Sequence, residues 1–188
     1  MKIFDISKEI LSAKVFPGDT APVLTRVKDI AGGGYNLSDI TMCVHSGTHI
    51  DAPLHFYDGG KAVDELPLEI FAGKALVAEM NGVITAERIA KLPLGTRRLL
   101  VKGKAWLTAE ACEKLAERSV LLVGTESQSV GGRDAAAVHL ALLKHEIIPL
   151  ESVCLEGVPE GEYMLFAQPI KIKGSDGAPV RAVLAVLD

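Results

Sequence analysis

Val120-Leu121-Leu122-Val123-Gly124 is an unbroken apolar run closed by a glycine. It is too short for a helix and reads as a strand buried on both faces. Upstream, Thr108 is placed to cap a helix that runs to Arg118. Downstream, Asp134 to Lys144 reads as a helix and Ile147 to Leu150 as a strand. Further out, strands at Lys74 to Met80 and Arg97 to Val101 flank a helix from Thr85 to Lys91, which Pro93 and Gly95 end. Strand and helix alternate through this middle, as in an α/β domain with a mixed sheet. Both ends are strand-rich. Ile3 to Ile6 is a first strand, and Val23 to Ile30 and Tyr35 to His45 form a hairpin through Ala31-Gly32-Gly33-Gly34. Tyr163 to Ile172 and Pro179 to Leu187 are joined through Gly174-Ser175-Asp176-Gly177, and Asp64 to Phe71 reads as a short helix. The hairpins predict a second, smaller antiparallel sheet. Alternation along Tyr35 to His45 puts Ile40, Met42 and Val44 toward the core, with Asp39, Thr41, Cys43 and His45 toward something polar.

The chain has 188 residues, 48% of them hydrophobic, and a formal net charge of −4. That length and composition suit one domain over residues 1–188 and exclude a disordered or collagen-like chain. No basic stripe points to nucleic acid. No apolar run approaches the ~20 residues of a membrane span. The opening Met1 to Glu9 is charged too early for a signal peptide, so a cytoplasmic protein is expected. Cys43, Cys112 and Cys154 have no zinc-finger spacing and read as small buried apolar residues.

The chemistry is concentrated in Val44-His45-Ser46-Gly47-Thr48-His49-Ile50-Asp51-Ala52-Pro53-Leu54-His55-Phe56. Three of the five histidines fall within eleven residues, in the pattern H-x3-H-x-D-x3-H. In an extended chain these odd-numbered residues share one side. A straight strand would hold the Cα atoms of His45 and His49 about 13 Å apart. Gly47, midway, can supply the bend that joins the rings. Imidazole nitrogen and carboxylate oxygen are ligands for zinc, manganese or iron(II). His55 lies beyond Pro53 and is suited to acid–base work. Packing alone does not explain such a cluster; a hydrogen-bonded polar loop is the alternative to a metal site. Two further candidates are less distinctive. His139 lies on the apolar face of its helix, where a satisfied core histidine is the default. Glu151 stands at the carboxyl end of a strand, where ligand groups gather in α/β sheets, although a solvated loop glutamate is the commoner case. His145 reads as an exposed helix end without function.

His45 to Phe56 resembles the H-x-G-T-H-x-D-x-P-x-H-F motif of the cyclase-like metal-dependent hydrolase family, which includes bacterial kynurenine formamidases and isatin hydrolases. The likeness extends over most of the chain. Phe16-Pro17-Gly18-Asp19-Thr20 resembles that family's early W-P-G-D-T loop, and Leu122-Val123-Gly124-Thr125 its central strand and turn. His139 and Glu151 stand twelve apart, as in its second metal motif, and Gly174 to Ala182 resembles its closing hairpin. The resemblance implies a three-layer β/β/α fold, a homodimer or higher homo-oligomer, and two divalent ions, zinc first and manganese as the alternative. It implies that His45, His49 and Asp51 hold one ion and His139 the other, that Asp51 and Glu151 bridge both, and that His55 is the general acid–base. Phe16 stands where the formamidases carry a substrate-stacking tryptophan, and Glu126 where aspartate is common.

The expected activity is hydrolysis of the C–N bond of an aryl formamide or cyclic amide, a small-molecule substrate. An isatin hydrolase-like, cyclase or dehydratase activity on the same ions is one alternative. A catalytically idle protein that binds metal or a small molecule is the other.

Overall fold

The structure is a computed structural model and describes residues 1–186. In chain order the elements are β1 (Lys2–Asp5), β2 (Val23–Lys28), α1 (Ile30–Gly33), β3 (Leu37–Thr41), β4 (His49–Asp51), β5 (Ala72–Glu79), β6 (Gly82–Ile84), α2 (Ala86–Ala90), β7 (Arg98–Lys102), β8 (Ala105–Leu107), α3 (Ala109–Glu117), β9 (Leu122–Thr125), α4 (Ala135–Lys144), β10 (Ile148–Glu151), β11 (Gly161–Phe166), β12 (Gly177–Pro179) and β13 (Val183–Val186). The main sheet has nine strands in the order β1-β13-β11-β5-β7-β9-β10-β4-β12. The central run β5-β7-β9-β10 is parallel and the flanking pairs are antiparallel. β2 and β3 form a small antiparallel sheet, and β6 pairs with β8 in parallel. This is the α/β class with a mixed sheet and a smaller antiparallel one.

Period-two side chains sort the centre into two cores. Leu99, Val101 and Val123 turn to the helix side, against Ile89, Leu115, Val138 and Leu142. Leu100, Leu122 and Leu150 turn the other way, into a cluster with Ile50, Phe71, Leu165 and Leu184. Because that cluster draws on both wings of the sheet, the sheet curls around it. Each fully buried side chain of this kind contributes about 1.5–3 kcal/mol of transfer free energy. α3 begins at Thr108, whose side chain accepts from the Ala111 N–H, as the sequence predicts.

Several expectations change. Asp64 to Phe71 is two 3₁₀ turns, Val63–Glu65 and Leu68–Ile70. Pro67 between them forces Leu66 into an extended backbone (ψ 135°) and breaks any continuous helix. The closing hairpin also differs. β12 pairs with β4 rather than β11, and Pro169 and Val180 share only an isolated bridge. Pro169 has no N–H to continue the ladder. The strand expected from Pro179 to Leu187 is two, β12 (Gly177–Pro179) and β13 (Val183–Val186), and Leu187 lies outside the described residues. The β2–β3 hairpin is exposed along both strands, and Ile40, expected in the core, is 50% exposed. The second hairpin strand stops at Thr41, and Met42 and Val44 are only half-buried. Cys112 is buried as expected, but Cys43 and Cys154 are half-buried, and all three are free.

Candidate metal centre

The sheet brings the motif to its partners through register. In the β10–β4 pair Glu151 faces His49, and in the β12–β4 pair Gly177 faces Asp51. Gly47 takes φ +66°, the bend the sequence called for, and the rings of His45 and His49 come within 5.1 Å. A 3₁₀ turn, Pro53–His55, then returns His55 to His45, with ring centroids 4.3 Å apart. Phe56 stacks on the His139 ring at 5.0 Å, and the Tyr57 hydroxyl donates to Leu140 O, which ties this turn to α4. Thr48 braces the bend from behind. Its hydroxyl donates to Ser152 O (2.7 Å) and accepts from the Lys8 N–H (2.8 Å).

All six sequence-predicted polar residues converge. His45 Nδ1 lies 2.8 Å from Asp51 Oδ1. His49 Nε2 lies 3.5 Å from Asp51 Oδ1 and 3.7 Å from Glu151 Oε2. His139 Nε2 lies 3.1 Å from both Asp51 Oδ2 and Glu151 Oε1. His49, Asp51, His139 and Glu151 are buried. Two sets of donor atoms gather within 4.8 Å: those of His49, Asp51 and Glu151, and those of His45, Asp51 and His55. Among the described residues nothing joins His145 to this cluster; it pairs with Glu113 at the surface.

The charges of the cluster balance one another. Burial alone would pull the His45 imidazole down, but contacts with Asp51 and Asp176 push it up to about 9. Burial likewise opposes the charge on His139, and Asp51 and Glu151 override it, raising the ring to about 10. Burial would raise Asp51, yet hydrogen bonds from His139 and His45 and the nearby His49 hold it far below the usual carboxylate range. The carboxylates thus favour positive charge on the rings that face them.

These residues fit a divalent cation by their hydrogen bonding. His49 Nδ1 lies 3.0 Å from Gly47 O and His139 Nδ1 lies 2.6 Å from Ala135 O. A ring that donates from Nδ1 keeps its Nε2 lone pair free. In both rings that lone pair faces carboxylate oxygens. Acceptor against acceptor requires a cation between them, either a proton or a metal. The donor set of imidazole nitrogen and carboxylate oxygen, without thiolate, suits zinc or manganese.

A cavity of about 220 Å³ opens over the cluster. Phe16 and Phe56 line it, as do Lys14, Asp19, Gln128 and Ser129. Phe16 thus stands at the cleft. Lys14, Asp19, Gln128, Ser129 and Asp176 were not singled out from the sequence. Asp176 touches both His45 and His55, but a Gly-Ser-Asp-Gly turn gives no local sign of that.

The Cyclase family model matches residues 4–98. A kynurenine formamidase of Salinibacter ruber is 37% identical over 98% of this chain and 97% of its own length.

The chain belongs to the Cyclase family.

Among solved structures, a potential metal-dependent hydrolase with cyclase activity superposes with a TM-score of 0.84 at 28% identity, covering 97% of this chain and 96% of its own. Isatin hydrolase A from Labrenzia aggregata shares the fold, with a TM-score of 0.85 at 23% identity over 100% of this chain and 94% of its own.

Proposed function

We propose that this member of the Cyclase family is a metal-dependent hydrolase that cleaves the C–N bond of an aryl formamide. The observation that carries the reading is the convergence of His45, His49, Asp51, His139 and Glu151 beneath a cavity walled by Phe16 and Phe56. Likeness to the kynurenine formamidase of Salinibacter ruber over nearly the whole chain supports it. His45, His49 and Asp51 would hold one divalent ion and His139 a second, with Asp51 and Glu151 shared; zinc is the first choice and manganese the alternative.

Such ions supply Lewis acidity, lowering the pKa of water toward about 7 and polarising an amide carbonyl. The protein's own groups do the rest. Phe16 and Phe56 hold the aromatic ring and exclude water. His55 takes the proton from the attacking water and delivers it to the departing nitrogen, which cannot leave as an amide anion. Lys14 is the one lysine or arginine among the residues lining the cavity and would face an anionic substituent of the substrate.

The chain acts as a homodimer in this reading. A two-stranded sheet open to solvent on both faces is marginal by itself. The β2–β3 hairpin exposes Val23, Leu24, Val27, Leu37 and Ile40, all above 40%, which suits a self-association surface. No helix among the described residues is long and apolar enough to cross a membrane, and free cysteines suit the cytoplasm.

Metal analysis followed by hydrolysis assays on N-formylkynurenine and isatin tests the proposal. Metal-dependent turnover of N-formylkynurenine supports it. Turnover of isatin alone moves the assignment to a cyclic amide, and tight binding without turnover refutes catalysis. Light scattering on wild type and Leu24→Asp tests the dimer, which the substitution should split.

A further inference from the structure

Resting on the hydrolase reading, we infer that Asp176 is a positioning residue that orients a metal ligand and the proton-transfer imidazole through one oxygen atom. Its Oδ2 lies 3.0 Å from His45 Nε2 and 3.1 Å from His55 Nδ1. The two rings are tilted by only 36° with centroids 4.3 Å apart, so their edges reach the same acceptor.

The turn carrying Asp176 is fixed from several sides. Ala52 N–H donates to Asp176 O (2.8 Å) and Val63 N–H to Ser175 O (2.9 Å). Ser175 Oγ donates to Gly177 O (2.6 Å), and Gly174 N–H to Asp64 Oδ1 (2.9 Å). The backbone from which the carboxylate projects is therefore fixed by the fold. Its side chain is 44% exposed, so it fills no core and its removal opens no buried void.

The consequence differs for the two rings. His45 donates from Nε2 to Asp176, which leaves Nδ1 as the nitrogen turned toward Asp51 and the cage. His55 donates from Nδ1, which leaves Nε2 free to take and give the proton of the reaction. A carboxylate behind a histidine fixes both tautomer and ring orientation. Here a single carboxylate does this for two histidines of different roles, so ligand geometry and proton transfer are set together.

The test uses zinc-loaded wild type, Asp176→Ala and Asp176→Glu, with thermal melts to confirm folding. Ring nitrogen NMR reads the tautomer of His55 and His45, chelator competition reads zinc affinity, and steady-state kinetics on N-formylkynurenine reads kcat and KM. In Asp176→Ala, His55 is expected to shift toward the Nε2–H form. Zinc affinity should fall about 10–100-fold, and kcat at full zinc occupancy should fall at least about tenfold with KM within about threefold. Asp176→Glu should recover part of each. An unchanged His55 tautomer with kcat within twofold of wild type overturns the inference. So does a loss of zinc affinity with His55 unaffected, which leaves Asp176 a support for His45 alone. Tautomer and affinity are read without substrate, so wild type that fails to hydrolyse any aryl formamide refutes the proposed function separately.

Discussion

A Cβ atom placed on Gly177 would stand 2.5 Å from Cε1 of His45, closer than any real contact. The ring occupies the space a side chain would need, so the absence of one is a condition for His45 to reach Asp51. Gly177→Ala is expected to push His45 out of the cage and weaken zinc binding by about 10–100-fold. Overpacking should also cost the fold about 1–3 kcal/mol. Chelator competition on the variant checks this; wild-type affinity would contradict it.

The metal-free protein should lose stability as pH rises past neutrality. His45 and His139 sit at about 9 and about 10 in the folded state, against an ordinary value of about 6.5. Their contribution is complete below about pH 6.5 and fades as pH climbs through those raised values. Asp51 is depressed, so its contribution holds above about pH 4 and is lost as pH falls toward its folded value. Zinc competes with the same protons, so its affinity should climb over the range in which the metal-free fold weakens. Melting curves between pH 6 and 9, with zinc and with chelator, should diverge. A metal-free melting temperature that rises from pH 7 to 9 would contradict the assignment.

Asp51→Ala and His55→Ala should separate holding metal from moving protons. Asp51 meets His45, His49 and His139, so its loss should remove metal and turnover together. His55→Ala should keep its zinc and lose about 10²–10⁴ in kcat. Elemental analysis beside kinetics decides. Metal loss in the His55 variant would make that ring a ligand, which its place within 4.8 Å of His45 and Asp51 donor atoms makes a real alternative.

Lys14→Ala should raise KM for an aryl formamide bearing a carboxylate about 5–20-fold, the scale of one partly exposed charge-assisted contact. It should leave KM for the uncharged parent compound within about twofold. Equal effects on both substrates would place Lys14 outside recognition.

The sequence announced the centre because four polar groups of the right chemistry lie within eleven residues and Gly47 supplies their bend. His139 and Glu151 were different. Taken alone, each had an ordinary explanation, and only the resemblance tied them to the motif; in the fold, register places Glu151 opposite His49. Asp176 could not be read at all, since it reaches His45 from 131 residues away and sits in a turn of common composition. The alternating strands and helices of the middle were legible because their side chains must satisfy two cores. The β2–β3 hairpin misled for a related reason. Its alternation is real, but the apolar residues face solvent in the single chain, and periodicity does not say what covers a face.

The order of the sheet also constrains when the protein can be metallated. β4 lies between β10 and β12, and the Asp176 turn opens the latter strand. While the chain is being made, the ribosome releases His45 more than a hundred residues ahead of the Asp176 turn that touches it. A nascent chain thus carries three imidazoles before the strand and turn that enclose them exist, so the proposed site would be completed only when nearly the whole chain has been made.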